Sequence, residues 1–145
     1  MGVGFVMLAH QDLDRAAQVA AYWAQNDCPV VIHVDARSDD GAFEGMKTTL
    51  APYKNIRFTE RRACDWGKFS IVAATQQSCE ILLKDFPEVG HVFLASGSCL
   101  PLKPVHELNA YLAENAETDF IESVTTLVVV DDNDVFKWFH GGASY

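Results

Sequence analysis

Val3-Gly4-Phe5-Val6-Met7-Leu8-Ala9, running directly into His10-Gln11-Asp12, is the stretch that decides the fold. Seven uncharged residues ending at an abrupt polar break read as a strand buried on both faces. Asp12 then stands where a helix N-cap would, and Leu13, Ala16, Ala17, Ala20 and Trp23 follow at helical spacing. The same step recurs downstream. Val30 to Val34 supplies a second strand after Pro29, and Ser38-Asp39-Asp40-Gly41 leads into a helix through Phe43, Met46, Lys47 and Leu50 that Pro52 ends. Ile56 to Thr59 alternates as a third strand, and Arg61, Arg62, Cys64, Asp65 and Trp66 form a connecting loop. From Ser70, the positions Ile71, Val72, Thr75, Cys79, Leu82 and Leu83 trace a helical stripe. His91 to Ala95 is a fourth strand, Pro104 opens a helix carrying Val105, Leu108 and Leu112, and Asp119-Phe120-Ile121-Glu122 is a fifth short strand. Alternating strands and helices predict an α/β domain of three layers with a largely parallel sheet, because parallel neighbours need a helical crossover. The chain stops before such a domain would be finished, so an incomplete sheet is expected.

Parallel strands place their following loops on one edge, where open α/β folds bind ligands. Four polar segments fall there: Leu8-Ala9-His10-Gln11-Asp12, His33-Val34-Asp35-Ala36-Arg37-Ser38, Asp65-Trp66-Gly67-Lys68-Phe69-Ser70 and Ser96-Gly97-Ser98-Cys99-Leu100-Pro101-Leu102-Lys103. Asp35 suits either a ribose diol or an Asx-turn. His10 and Asp12 carry the same two readings, whereas His33 reads as a packed strand residue. Ser96 and Gly97 suit sugar or phosphate oxygens or, equally, a plain turn. Trp66-Gly67 offers an indole face for stacking, or anchors its loop in the core. Glu122 suits an acceptor hydroxyl or solvent.

Composition narrows the partners. At 145 residues and 49% hydrophobic, the chain suffices for one domain and is short for two. With 11 Lys+Arg against 20 Asp+Glu, the net charge of -9 repels a phosphate backbone, which argues against nucleic acid. The N-terminal run lacks a basic lead and a cleavage site, and Val6 stands where a myristoylation signal wants Ser or Thr. Nothing approaches the ~20 apolar residues of a membrane span, so a soluble, cytoplasmic protein is expected. Cys28, Cys64, Cys79 and Cys99 lack any Cys-x-x-Cys pairing and read as buried thiols, with no disulfide framework or structural zinc. Gly-x-Gly-x-x-Gly after the first strand, a P-loop and Gly-x-Ser-x-Gly are all missing, which leaves dinucleotide, P-loop and nucleophile-elbow chemistry without support.

Taken in order, Leu8-Ala9-His10-Gln11-Asp12, His33-Val34-Asp35-Ala36-Arg37-Ser38, Trp66-Gly67-Lys68-Phe69-Ser70 and Ser96-Gly97-Ser98-Cys99-Leu100-Pro101-Leu102-Lys103 resemble the core-2/I-branching glycosyltransferase family, which includes peptide O-xylosyltransferases. The resemblance covers roughly residues 3 to 123 and is nearest to the soluble bacterial branch. It departs at Cys99, where the family usually has Asp, and fades after Thr126. It implies a GT-A fold with a Rossmann-like half, over residues 1–126, and a divergent tail over 127–145. It further implies inverting, metal-independent transfer of N-acetylglucosamine or xylose from a UDP-sugar to a hydroxyl of a glycan or other acceptor, with no cofactor. Ala9 and His10 would line the uridine site, Asp35 would hold ribose or uracil, Trp66, Gly67, Ser96 and Gly97 would complete the donor site, and Glu122 would bind the acceptor sugar. The family's catalytic Glu and its pyrophosphate-binding basic residues belong to a C-terminal half that this chain lacks, so the catalytic residue is unassigned and the expectation is a donor-binding portion.

Two rival readings follow from the same residues. Asp132 and Asp134, in Asp131-Asp132-Asn133-Asp134, form an Asp-x-Asp suited to a divalent cation in a metal-dependent GT-A transferase. Alternatively the chain is a non-catalytic nucleotide-sugar-binding or assembly module, forming a homo-oligomer through an exposed sheet edge.

Overall fold

The structure is a computed structural model, and it describes residues 2–120. Its elements alternate as β1 (Gly2–Ala9), α1 (Leu13–Gln25), β2 (Val30–Val34), α2 (Asp40–Leu50), β3 (Ile56–Phe58), α3 (Phe69–Asp85), β4 (Val89–Ser96) and α4 (Val105–Glu114). The four strands are all parallel, in the order β3-β2-β1-β4. This is a Rossmann-like α/β domain in three layers. Register puts the strand ends level, with Ala9 opposite Val34 and Leu8 opposite Ser96. The order reverses at β1: the chain moves one way through β2 and β3, then crosses back through α3 to β4.

Alternation along each strand builds two cores. On one face Val3, Phe5, Met7 and Ala9 of β1, with Val30, Ile32 and Val34 of β2, pack against α1, α2 and α4. Trp23 anchors this layer, stacked on Phe5 with ring centroids 3.9 Å apart. On the other face Val6 and Val31 pack against Leu82 and Phe86 of the α3 region. The sheet thus has helices on both faces, which explains why its strands read as continuous apolar runs.

Several local expectations are corrected. The buried stripe of α3 is Ala74, Ser78 and Leu82, while Val72 and Leu83 face outward. Small residues at a four-residue interval let this helix lie close to the sheet, and Ser78 returns its hydroxyl to Ala74 O at 2.8 Å. Asp12 occupies the N-cap position of α1 but in left-handed backbone (φ 48°), and its side chain caps nothing. Side-chain capping appears instead at α2, where Asp39 accepts from Ala42 N at 2.7 Å. Cys28 is buried, and burial beside Asp27 pushes its thiol up to about 11. Cys99 is exposed, contrary to the buried-thiol reading. Asp119 and Phe120 are not in a strand, and Ile121 and Glu122 lie outside the described residues, as do Asp132 and Asp134. Among the described residues no helix is long and apolar enough to cross a membrane.

Candidate functional site

The C-terminal ends of β1 and β2 enclose a cavity of about 330 Å³ with the loop that leads into α3. Ala9, His10, Asp35 and Trp66 all line it, together with His33, Arg37, Ser38, Cys64 and Ile71. The two strand ends are tied by Asp35 N donating to Ala9 O at 2.9 Å and Ser38 Oγ donating to His10 O at 2.8 Å. Such cross-strand bonds hold the loops in one arrangement without help from a ligand.

Asp35 is the electrostatic centre. Its Oδ1 accepts from Arg37 N at 2.8 Å and Arg37 Nε at 3.0 Å, and its Oδ2 from Arg37 Nη2 at 2.9 Å and Cys64 N at 3.0 Å. The bond to Arg37 N is an Asx-turn, and the four bonds together occupy the acceptor positions of a carboxylate. The Arg37 guanidinium foremost, then the two backbone N–H groups, hold this carboxyl well below the usual range despite its burial. Arg37 reaches on to Asp65 Oδ1 at 3.0 Å and to Cys64 O, so one side chain fastens the β2 loop to the α3 loop. Arg61 does related work beneath: it bonds Asp35 O at 3.1 Å and Ala36 O at 3.2 Å, pairs with Asp40 at 2.6 Å, and lies over the Phe43 ring.

The far wall begins with Cys64, whose thiol is raised chiefly by desolvation and then by Asp35, so it is held as the thiol and not as a nucleophilic thiolate. Asp65 N donates to Ser70 Oγ at 3.0 Å, and Lys68 pairs with Asp65 at 3.0 Å. Lys68 first, then Arg37, lowers the Asp65 carboxyl. Between them Gly67 turns the chain at φ +74°, a conformation glycine adopts without steric cost. Trp66 is thereby left 94% exposed at the cavity rim, not packed in the core.

Ser96 and Gly97 sit elsewhere. A Cβ on Gly97 would lie 2.8 Å from Ala16 Cβ and 3.7 Å from Ala9 Cβ, so this loop closes directly against α1 and the end of β1. Ser96 Oγ turns to Cys99 Sγ at 3.2 Å and accepts from Ser98 N at 3.3 Å. Neither residue lines the cavity, and Gly67 does not line it either. The cavity that holds Asp35 therefore lies at the β1/β2 gap, while Gly97 packs against α1 at the β1/β4 side. Sequence reasoning passed over Arg37, Cys64 and Arg61 as site builders; the one available signal was two cations and a thiol within 28 residues, all in loops after strands. A larger cavity of about 550 Å³ is lined mostly by apolar side chains such as Phe5, Trp23, Phe93 and Leu108, with Cys99, Lys103, Glu107 and Tyr111 as its polar members, and Lys103 and Glu107 pair with each other at 3.7 Å. No cluster of metal-ligating side chains occurs among the described residues.

Comparison with curated proteins gives no match. The model of the Core-2/I-Branching enzyme family matches residues 3–137, reaching past Thr126 and covering both strand-end loops of the cavity. That span is more than half of the 145 residues, so the chain belongs to the Core-2/I-branching enzyme family and has a glycosyltransferase-type function.

Proposed function

We propose that this chain binds the nucleotide of a UDP-sugar and supplies the donor-binding portion of an inverting, metal-independent transfer of N-acetylglucosamine or xylose to a hydroxyl of a glycan or other acceptor. The observation that carries this reading is the convergence of Ala9, His10, Asp35 and Trp66 on one cavity at the strand ends. Its volume of about 330 Å³ is at the small end of ligand sites and suits a nucleoside. The exposed indole of Trp66 supplies a stacking face at the rim. Arg37, with 58% of its side chain exposed, is the partner that a ribose diol would displace from Asp35. Sugar and diphosphate then extend out of the cavity, toward Ser96 and Gly97 at the end of β4 and toward Gly67.

Inversion needs a base for the acceptor proton and stabilisation of the UDP leaving group. Among the described residues Asp35 is the one carboxylate in the cavity wall, and the Arg37 guanidinium and backbone N–H groups that lower it make it a poor base near neutral pH. In this reading Asp35 binds and does not take the proton. The base lies outside residues 2–120, and Glu122, also outside them, holds the acceptor sugar. A homo-oligomer along β4 belongs to the same reading, since Val92 and Leu94 on this outer strand are exposed; light scattering that finds only monomer would remove it.

Calorimetric titration with UDP, UDP-N-acetylglucosamine and UDP-xylose in EDTA tests the donor site. Binding without metal, weakened by Trp66→Ala, is expected. Silence with every nucleotide would overturn the reading, and binding that needs manganese and is lost in Asp132→Ala would replace it with the metal-dependent alternative.

A further inference from the structure

His33 is buried on β2, 2% exposed, yet its ring forms part of the cavity wall. Strand alternation explains both facts: Ile32 and Val34 face α1 and α2, so His33 faces the side of α3 and the loop before it. That loop fixes the ring, because Arg62 N donates to His33 Nε2 at 3.1 Å. A nitrogen that accepts from an N–H carries no proton, so the neutral ring must carry its hydrogen on Nδ1. Among the described residues nothing pairs with Nδ1. Among the described residues the side-chain polar atoms that are both sealed from solvent and unpartnered are Trp23 Nε1 and Gln77 Oε1. His33 Nδ1 is not one of them, so it is not sealed from solvent, and the opening that His33 lines is the cavity.

We propose that His33 is a specificity-determining residue of the nucleotide site, presenting a neutral Nδ1–H as a donor to a carbonyl or hydroxyl oxygen of the bound nucleoside. The inference rests on the donor-site reading above. Asp35 cannot fill this role, being an acceptor already saturated by Arg37 and Cys64 N. A nucleoside presents both donors and acceptors, and a cavity with a carboxylate on one wall needs an uncharged donor on another to read the acceptors. The ring stays neutral because burial lowers its pKa, and Arg62 and Arg61 lower it further against the opposing pull of Asp35. The structural work done by Arg62 N–H therefore decides which tautomer meets the ligand.

The test is a long-range ¹H–¹⁵N spectrum of the full chain labelled with ¹⁵N-histidine, His33 being assigned through correlations to its own backbone. At neutral pH without ligand, the expected pattern is a protonated Nδ1 and an unprotonated Nε2. UDP should move the Nδ1 resonance and leave Nε2 in place, and inorganic pyrophosphate should move neither. An Nε2–H tautomer overturns the proposal, as does UDP binding seen at other resonances with Nδ1 unmoved, or an equal shift with pyrophosphate. Those results leave the donor-site reading standing. If UDP perturbs no resonance at all, the donor-site reading falls and His33 loses its ligand with it.

Discussion

Replacing Asp35 by Asn removes one charge and one acceptor from a side chain that accepts four hydrogen bonds. The amide oxygen can keep the place of Oδ1, facing Arg37 N and Nε. Its NH₂ then takes the place of Oδ2, opposite two donors, Arg37 Nη2 and Cys64 N. Arg37 can turn its exposed side chain to water and to Asp65, so its share of the loss is small. Cys64 N cannot turn, and leaving a shielded backbone donor without an acceptor costs about 1–3 kcal/mol. Taking about 2 kcal/mol, and roughly 2–4 °C per kcal/mol for a chain of this size, the melting temperature should drop by about 4–8 °C. The pH dependence is the sharper signature. A carboxyl held below its ordinary value of 3.8 contributes stability that is present above that value and lost as pH falls through the folded one. Urea midpoints of wild type and Asp35→Asn should therefore be furthest apart near pH 7 and converge below about pH 4. Equal midpoints at pH 7, or a gap that persists undiminished at pH 2–3, would refute the argument that this ion-paired carboxylate holds the two loops together.

The other predictions concern packing and the rim. Gly97→Ala puts a methyl 2.8 Å from Ala16 Cβ, an atom on a rigid helix, so overpacking should destabilise by about 1–3 kcal/mol in urea unfolding; an unchanged midpoint would mean that the loop does not rest on α1. Trp66→Ala should leave stability within about 0.5 kcal/mol, since the indole is exposed, and weaken UDP by roughly 2- to 12-fold, the worth of one stacking contact. A large fall in stability with unchanged UDP affinity would reverse the roles assigned to that residue. Trp23→Ala removes a side chain that is 3% exposed and stacked on Phe5, and should cost about 3–5 kcal/mol; a cost under about 1 kcal/mol would exclude the indole from the core.

Much of the site was legible as location and little of it as contact. His10, Asp35 and Trp66 could be placed on one sheet edge because a strand read from Val3 to Ala9, and another from Val30 to Val34, must end at the same level if they are parallel. Which of Asp35's two readings applies was not legible, since it turns on Cys64 N and on a guanidinium two residues away folding back, a matter of side-chain geometry. Ser96 and Gly97 had the right edge but stand outside the cavity that holds Asp35: a glycine in a loop signals either an open ligand cradle or a close approach, and the choice depends on where α1 lies. Periodicity likewise found α3 but favoured its large apolar residues over the small ones that the sheet required.

Hydrophobic runs and the polar breaks after them are properties of the chain itself, so the element order, the parallel sheet and the edge that carries the polar chemistry follow from the amino-acid order alone. The family resemblance also rests on that order. What needed the tertiary structure was every relation between loops that are distant along the chain: Arg62 setting the His33 tautomer, Arg37 tying Asp35 to Asp65, and Gly97 closing against Ala16 of α1 and Ala9 of β1. Such contacts join residues 28 to 88 positions apart through single hydrogen bonds or a single methyl's worth of space. Local sequence carries no trace of a partner that only folding brings near.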